Sequence, residues 1–322
     1  MMNSDAVETD LPATVRIGTR GSPLARWQAG WVADRLREAH PGLEVVLVEI
    51  KTQGDRDRNS PLSAIGGLGL FTKEIQRALA DSAVEVAVHS LKDLPTSGPE
   101  GLMLGAVPPR EDLADALIAP RHQTLEALPR GATVGTGSLR RRAQLLFARP
   151  DLRVVDVRGN VETRLDQALR GTLDAVVLAE AGLRRLHLHH HVTERLGPPR
   201  FLPAVGQGAL GIECRASDES TRRLLAPLDD PATRRAVLAE RAALAELEGG
   251  CMIPMAAWAR DVDDEAGPAL ALDAVVFDPD GRERVSAGEV GRQDDPGALG
   301  RRVAQSLRGL GADALLRRVR HP

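Results

Sequence analysis

Short apolar runs with helical segments between them predict an α/β protein with largely parallel strands. The first runs are Val15-Arg16-Ile17-Gly18-Thr19, Val45-Val46-Leu47-Val48-Glu49-Ile50 and Val84-Glu85-Val86-Ala87-Val88. A second set lies at Ala116-Leu117-Ile118, Ala132-Thr133-Val134-Gly135, Arg153-Val154-Val155-Asp156-Val157 and Asp174-Ala175-Val176-Val177-Leu178. The proline pair Pro108-Pro109 between the sets reads as a crossing between domains, and the proline-rich stretch from Gly197 to Pro203 reads as the return. From about Pro231 the pattern changes to a long helix, a glycine-cysteine turn, a hairpin at Asp278-Pro279-Asp280-Gly281 and a helix after Asp295, which is a small α+β unit. The expected domains are residues 14–108 with 204–228, residues 109–203, and residues 229–322.

The first helix has the clearest start signal. Ser22 is placed to cap it, Pro23 occupies the first turn, and the pattern runs to about Ala39. Residues 51–70 are polar and rich in glycine, too long for an ordinary connection, and read as a lid over a site.

With 322 residues and 43% hydrophobic content, the chain has enough apolar material for several cores. Its two cysteines, Cys214 and Cys251, lie far apart and in no metal-ligand spacing, which fits a reducing cytoplasm. Residues 1–14 carry three acids and no apolar signal segment, and no run reaches membrane-spanning length. A net charge of -3 and the absence of tyrosine argue against a nucleic-acid partner. Positive charge is nearly all arginine, the only lysines being Lys51, Lys73 and Lys92. Clustered guanidinium groups matter because each grips a carboxylate or phosphate at two points.

Four strand ends carry cationic groups. Val84 to Val88 runs into His89-Ser90-Leu91-Lys92-Asp93-Leu94-Pro95; Ser90 and Asp93 could form a local cap, which leaves the scarce lysine unexplained. Gly135-Thr136-Gly137-Ser138-Leu139-Arg140-Arg141-Arg142 is a tight turn opening a helix, an anion site by its N–H groups and dipole, unless the arginines are a solvated face. Arg158-Gly159-Asn160-Val161-Glu162-Thr163-Arg164 repeats the pattern, and Arg20 follows the first strand. Arginine from two domains implies a cleft for a polyanion. The stretch Glu248-Gly249-Gly250-Cys251 has two readings: a glycine C-cap before a small buried hydrophobe, or a thiol open to close approach.

In order along the chain, these segments resemble the porphobilinogen deaminase (hydroxymethylbilane synthase) family: Thr19-Arg20-Gly21-Ser22-Pro23-Leu24-Ala25, Thr52-Gln53-Gly54-Asp55, Gly69-Leu70-Phe71-Thr72-Lys73-Glu74, Ala87 to Pro95, Gly135 to Arg141, Arg158-Gly159-Asn160-Val161, Gly206-Gln207-Gly208-Ala209 and Glu248 to Cys251. The fold expected is two periplasmic-binding-protein-like α/β domains with a cleft between them, plus a small α+β C-terminal domain. The resemblance implies a transferase that joins four porphobilinogen units head to tail on a dipyrromethane cofactor, releasing ammonia and hydroxymethylbilane. It implies a thioether from Cys251 to that cofactor and a catalytic carboxylate at Asp93, hydrogen-bonded to pyrrole N–H groups and stabilising a cationic azafulvene. By the same match Lys92, Asp93, Ser138, Arg140 and Arg141 contact the cofactor, while Arg20, Ser22, Arg158, Arg164 and Arg185 handle substrate and the growing chain. A cytoplasmic monomer is expected, with no membrane and no nucleic-acid partner.

Two positions depart from the family pattern. Leu68 replaces a common lid lysine, and Gly137 a common serine, which removes one expected cofactor hydrogen bond. The run His187-Leu188-His189-His190-His191 is expected to hold no metal, because adjacent imidazoles on a surface helix point apart. Two rival readings are a non-enzymatic two-lobed anion-binding protein, which needs no Cys251, and a phosphate-handling enzyme, which the turn at Gly135 to Ser138 disfavours by lacking P-loop spacing and lysine.

Overall fold

The structure, a computed structural model, describes residues 11–52, 54, 72–248, 253–265 and 267–320. In the first lobe Thr14–Thr19 (β1) leads to Pro23–Ala39 (α1), Glu44–Glu49 (β2), Lys73–Ala80 (α2), Val86–Ser90 (β3) and Leu102–Ala106 (β4). The second lobe holds Asp115–Ile118 (β5), Thr133–Gly135 (β6), Leu139–Ala148 (α3), Arg153–Val155 (β7), Val161–Leu169 (α4), Ala175–Ala179 (β8), Glu180–Arg185 (α5) and Glu194–Leu196 (β9). The chain then returns through Leu210–Arg215 (β10) and Glu219–Leu225 (α6).

The first sheet has the order β2-β1-β3-β10-β4 and the second β7-β6-β8-β5-β9, the same arrangement with the chain entering at a different strand. In each, the fourth strand alone runs against its neighbours. The register gives the reason. β10 starts at Leu210 opposite Ser90, the last residue of β3, and β5 starts at Asp115 opposite Ala179, the last residue of β8. Both strands therefore begin at the end of the sheet where parallel strands finish, because that is where the chain crosses from the other lobe. β4 and β9, which periodicity does not pick out, are the short strands beyond them. One consequence is chemical: strand ends and crossing segments of both lobes converge on a single cleft.

The crossings touch. Gly208 has φ +86, and a Cβ there would stand 2.3 Å from the carbonyl oxygen of Glu111, so the position admits only glycine. α1 forms where its cap signals place it, with Ser22 Oγ accepting from Ala25 N at 3.3 Å. Its buried residues Ala29, Val32, Ala33 and Leu36 follow the helical period and pack on Val15, Ile17 and Val86.

The third domain comprises Pro231–Glu246 (α7), the antiparallel strands Met255–Asp264 (β11), Gly267–Phe277 (β12) and Arg284–Arg292 (β13), and the helices Pro296–Gly309 (α8) and Ala312–Arg320 (α9). Its core joins Ala239, Ala243 and Leu247 to Leu270, Leu272, Val303 and Leu316. A buried ion pair fastens it to the lobes. Arg110, in the first crossing, meets Glu240 of α7 at 2.8 and 3.1 Å, and the same carboxylate accepts from Gly206 N at 2.8 Å and Ala259 N at 3.1 Å. Glu240 is fully buried, so all its hydration is replaced by these four donors. Arg110→Ala should therefore lower unfolding free energy by about 3–5 kcal/mol, read by urea denaturation; a loss below about 1 kcal/mol would show that Glu240 finds other compensation.

Candidate active site

Four cationic side chains line one cavity of about 90 Å³ between the lobes: Lys92, Arg141, Arg164 and Arg185, with Gln28, Ser90, Gly208 and Ala209. Lys92 and Asp93 sit on a 3-10 turn, Leu91–Asp93, directly after β3. Leu91 anchors the turn by full burial, and Leu91 N donates to Ala209 O at 3.0 Å. Burial pushes the Lys92 ammonium down to about 8; Arg141 and Arg140 add to that effect and Asp93 and Asp115 oppose it.

The opposite wall starts at Ser138, whose Oγ caps α3 by accepting from Arg141 N at 3.4 Å. Arg140 and Arg141 follow, only 3% and 7% exposed, and both face Asp115 at the head of β5. Arg140 Nη1 lies 2.7 Å and Nη2 3.1 Å from the carboxylate, and Arg141 Nε lies 2.8 Å away. Gln207 completes the group, donating to Asp115 at 2.8 Å and accepting from Arg141 Nη2 at 3.3 Å and Arg140 Nη2 at 3.4 Å. Burial alone would raise the Asp115 carboxyl, yet the two guanidinium groups hold it well below the usual carboxylate range.

Arg140 also donates to Leu202 O at 2.8 Å. It is absent from the cavity wall, so the expectation that it meets cofactor carboxylates runs into a guanidinium already engaged by Asp115, Gln207 and a backbone carbonyl. Arg141 keeps one face on the cavity. Ser22 and Ser138 each accept a helix-capping bond, which leaves the hydroxyl hydrogen of each to donate to a ligand. Arg20 is half-buried just beyond β1.

α4 is capped by Asn160, whose Oδ1 accepts from Thr163 N at 2.8 Å. Arg164 Nε donates to Gly159 O at 2.8 Å, and burial lowers its pKa against the opposing charges of Asp156 and Asp93. The Asp93 charge thus reaches across the cleft. Arg185 Nη2 donates to Gly208 O at 2.6 Å, its guanidinium lies 5.9 Å from the Trp27 ring, and burial lowers it to about 10. Arg158 buries Nε and Nη2 without a hydrogen-bond partner among the described residues. Two buried, orphaned donors on a half-buried cation fit a carboxylate from outside the protein.

Cys251, Leu68 and most of the lid expected over residues 51–70 lie outside the described residues. Gly137 is explained: a Cβ would stand 2.9 Å from Val157 O and 3.2 Å from Asp156 Oδ1, so serine fits there only if the backbone shifts. His189–His191 form an isolated 3-10 turn instead of part of a surface helix. Asp115 is the residue that the motif reading misses, and Gln207 lies in a matched segment to which that reading gives no role. The signal for Asp115 is a carboxylate heading an otherwise apolar strand, which burial obliges to find cations.

A two-lobed α/β protein with four cationic side chains gathered at an interlobe cavity is suited to a ligand that carries several carboxylates. Residues 15–223 match the family described as porphobilinogen deaminase, dipyromethane cofactor binding domain, and residues 234–309 match the porphobilinogen deaminase C-terminal domain. The chain belongs to the porphobilinogen deaminase family. It is 50% identical over 306 residues to porphobilinogen deaminase of Moorella thermoacetica, covering 95% of this chain and 96% of that one. With the enzyme of Maridesulfovibrio salexigens the identity is 47% over 305 residues, covering 95% and 98%. Among solved structures, a putative methionine-binding lipoprotein from Bacillus subtilis superposes with a TM-score of 0.42 at 15% identity, covering 67% of this chain and 90% of that one.

Replacing Asp115 by Asn removes the counter-charge of two buried guanidinium groups and should cost about 3–5 kcal/mol at pH 7. Because the folded pKa of Asp115 lies below its unfolded value, its contribution is present above about pH 4 and is lost as pH falls toward the folded pKa. Urea unfolding of both proteins at pH 7 and pH 5 should give the same difference; a difference that vanishes at pH 5 would contradict the ion-pair assignment.

Proposed function

We propose that the protein is a hydroxymethylbilane synthase: a cytoplasmic, monomeric transferase that condenses four porphobilinogen molecules on a covalently held dipyrromethane primer, releasing ammonia and hydroxymethylbilane. The observation that carries this reading is the meeting of the Lys92-Asp93 turn with Arg141, Arg164 and Arg185 at one interlobe cavity, in a chain matched along its length by porphobilinogen deaminases. Dipyrromethane, when bound, supplies the terminal pyrrole carbon to which the first unit is joined. Cys251 is its attachment point in our reading, a thiolate being a strong nucleophile and the thioether a bond that survives turnover.

Each pyrrole of the substrate bears an acetate and a propionate, so every addition brings more negative charge into the cleft. Lys92, Arg141 and Ser138 are assigned to the primer carboxylates, with Arg140 holding Arg141 and Asp115 in place. Arg158, Arg164, Arg185, Arg20 and Ser22 are assigned to the incoming unit and the growing chain; the unsatisfied donors of Arg158 support its place in that set. Each charge-assisted bond contributes about 1.5–3 kcal/mol. Loss of ammonia leaves a cationic pyrrole methylene. The Asp93 carboxylate stabilises that charge through the pyrrole N–H and then takes part in moving the proton released as the new carbon–carbon bond forms. The surrounding cations oppose the developing positive charge, and the Asp93 carboxylate is the fixed acid that offsets them.

A purely anion-binding protein would need neither Asp93 nor Cys251, and the family match leaves that reading without support. Incubation of purified protein with porphobilinogen, following ammonia and product, tests the proposal directly. Asp93→Asn should fold normally and lose turnover by about a hundredfold or more. Wild-type protein that binds porphobilinogen and releases no ammonia, or an Asp93→Asn variant with full activity, would contradict the assignment.

A further inference from the structure

The Asp93 turn is too short to hold a charged side chain by itself. Its internal bond runs from Leu94 N to Leu91 O at 3.1 Å, and the chain leaves it in extended conformation. Leu91 N is held by Ala209 O at the entry to the turn, and the exit is supported by the third domain. Arg241 of α7 donates Nη1 to Leu94 O at 3.1 Å and Nη2 to Pro95 O at 2.6 Å, spanning 147 and 146 residues of sequence. One helical turn earlier on α7, Val237 is fully buried in a cluster with Leu91, Leu94, Val107 and Ala209. Positions 237 and 241 share a helix face, so a single stripe of α7 gives the turn an apolar seat and a two-pronged donor. A planar guanidinium bonded to two successive carbonyls fixes their orientation together, and these are the carbonyls that immediately follow Asp93.

We propose that Arg241 is a positioning residue for the reaction: it fastens the Lys92-Asp93 turn to α7, so that the carboxylate stays where charge develops on the substrate. Arg241 acts through the backbone after Asp93, and the proposal rests on the assignment of Asp93 above. The direction of control is from the third domain to the first lobe. A shift of the turn by about 1 Å is enough to cost on the order of a hundredfold in rate.

The test compares wild type, Arg241→Leu and Arg241→Lys for turnover of porphobilinogen, thermal midpoint and pyrrole content by an aldehyde reagent. Arg241→Leu should lower kcat about tenfold to a hundredfold with KM within about twofold and pyrrole content unchanged. Arg241→Lys should recover part of the rate, since an ammonium supplies the donors without the rigid fork. In an Asp93→Glu background, where the carboxylate is already displaced, Arg241→Leu should cost less than about threefold more. An equal loss in both backgrounds, a wild-type rate in Arg241→Leu, or a loss that only follows the fraction of folded protein would overturn the proposal. Wild-type protein inert toward porphobilinogen would instead bring down the functional reading and this inference with it.

Discussion

Two guanidinium groups on adjacent residues of one helix repel each other and resist burial, and Arg140 and Arg141 coexist at the cleft because Asp115 stands between them. A pair of unit charges about 4 Å apart is worth about 4 kcal/mol at an effective dielectric of about 20. Asp115 makes two attractions of that kind against the single repulsion, so the balance favours burial. Gln207 adds a donor to the carboxylate and an acceptor to both arginines, which fixes their rotation as well as their charge. The result is a rigid cationic wall with one member, Arg141, left facing the cavity.

That wall is continuous with the junction of all three domains. Gln207 lies in the return crossing, and its own carbonyl accepts from Arg110 Nε at 2.6 Å. Arg110 then pairs with Glu240, whose carboxylate bonds the backbone of the return crossing at Gly206 and of β11 at Ala259. One residue further along α7, Arg241 holds the carbonyls of the Asp93 turn. The Asp93 turn of the first lobe and the arginines of the second thus share a single buried scaffold. Carboxylates of a ligand meet donors already set in place, so little ordering is left to oppose binding.

Local signals in the sequence were read correctly where the physics is local. Ser22-Pro23 starts a helix whichever domain surrounds it, and alternating apolar runs place β1, β2 and β6 within a residue or so. Strand direction is another matter, since β10 and β5 run against their neighbours only because each begins at an interdomain crossing, a long-range fact. Lys92, Arg141 and Arg164 are legible as cationic groups at strand ends and Arg185 only through the family resemblance; all four gather at one cavity. Their division of labour was hidden. Arginine spacing does not distinguish Arg140, engaged by Asp115, from Arg141 beside it, because the partner is 25 residues away in sequence and on another strand. Arg241 was invisible for the same reason: one arginine on an ordinary helix, meaningful only through the two carbonyls it reaches.

The proposed tether, a carboxylate-rich primer joined to Cys251 by a thioether, is tested most directly by the mass of the purified protein under denaturing conditions. We predict that wild-type protein is heavier than its sequence by two linked pyrrole units and that Cys251→Ala has the sequence mass. Wild-type protein of unmodified mass that nevertheless converts porphobilinogen, or an adduct that persists in Cys251→Ala, would contradict it.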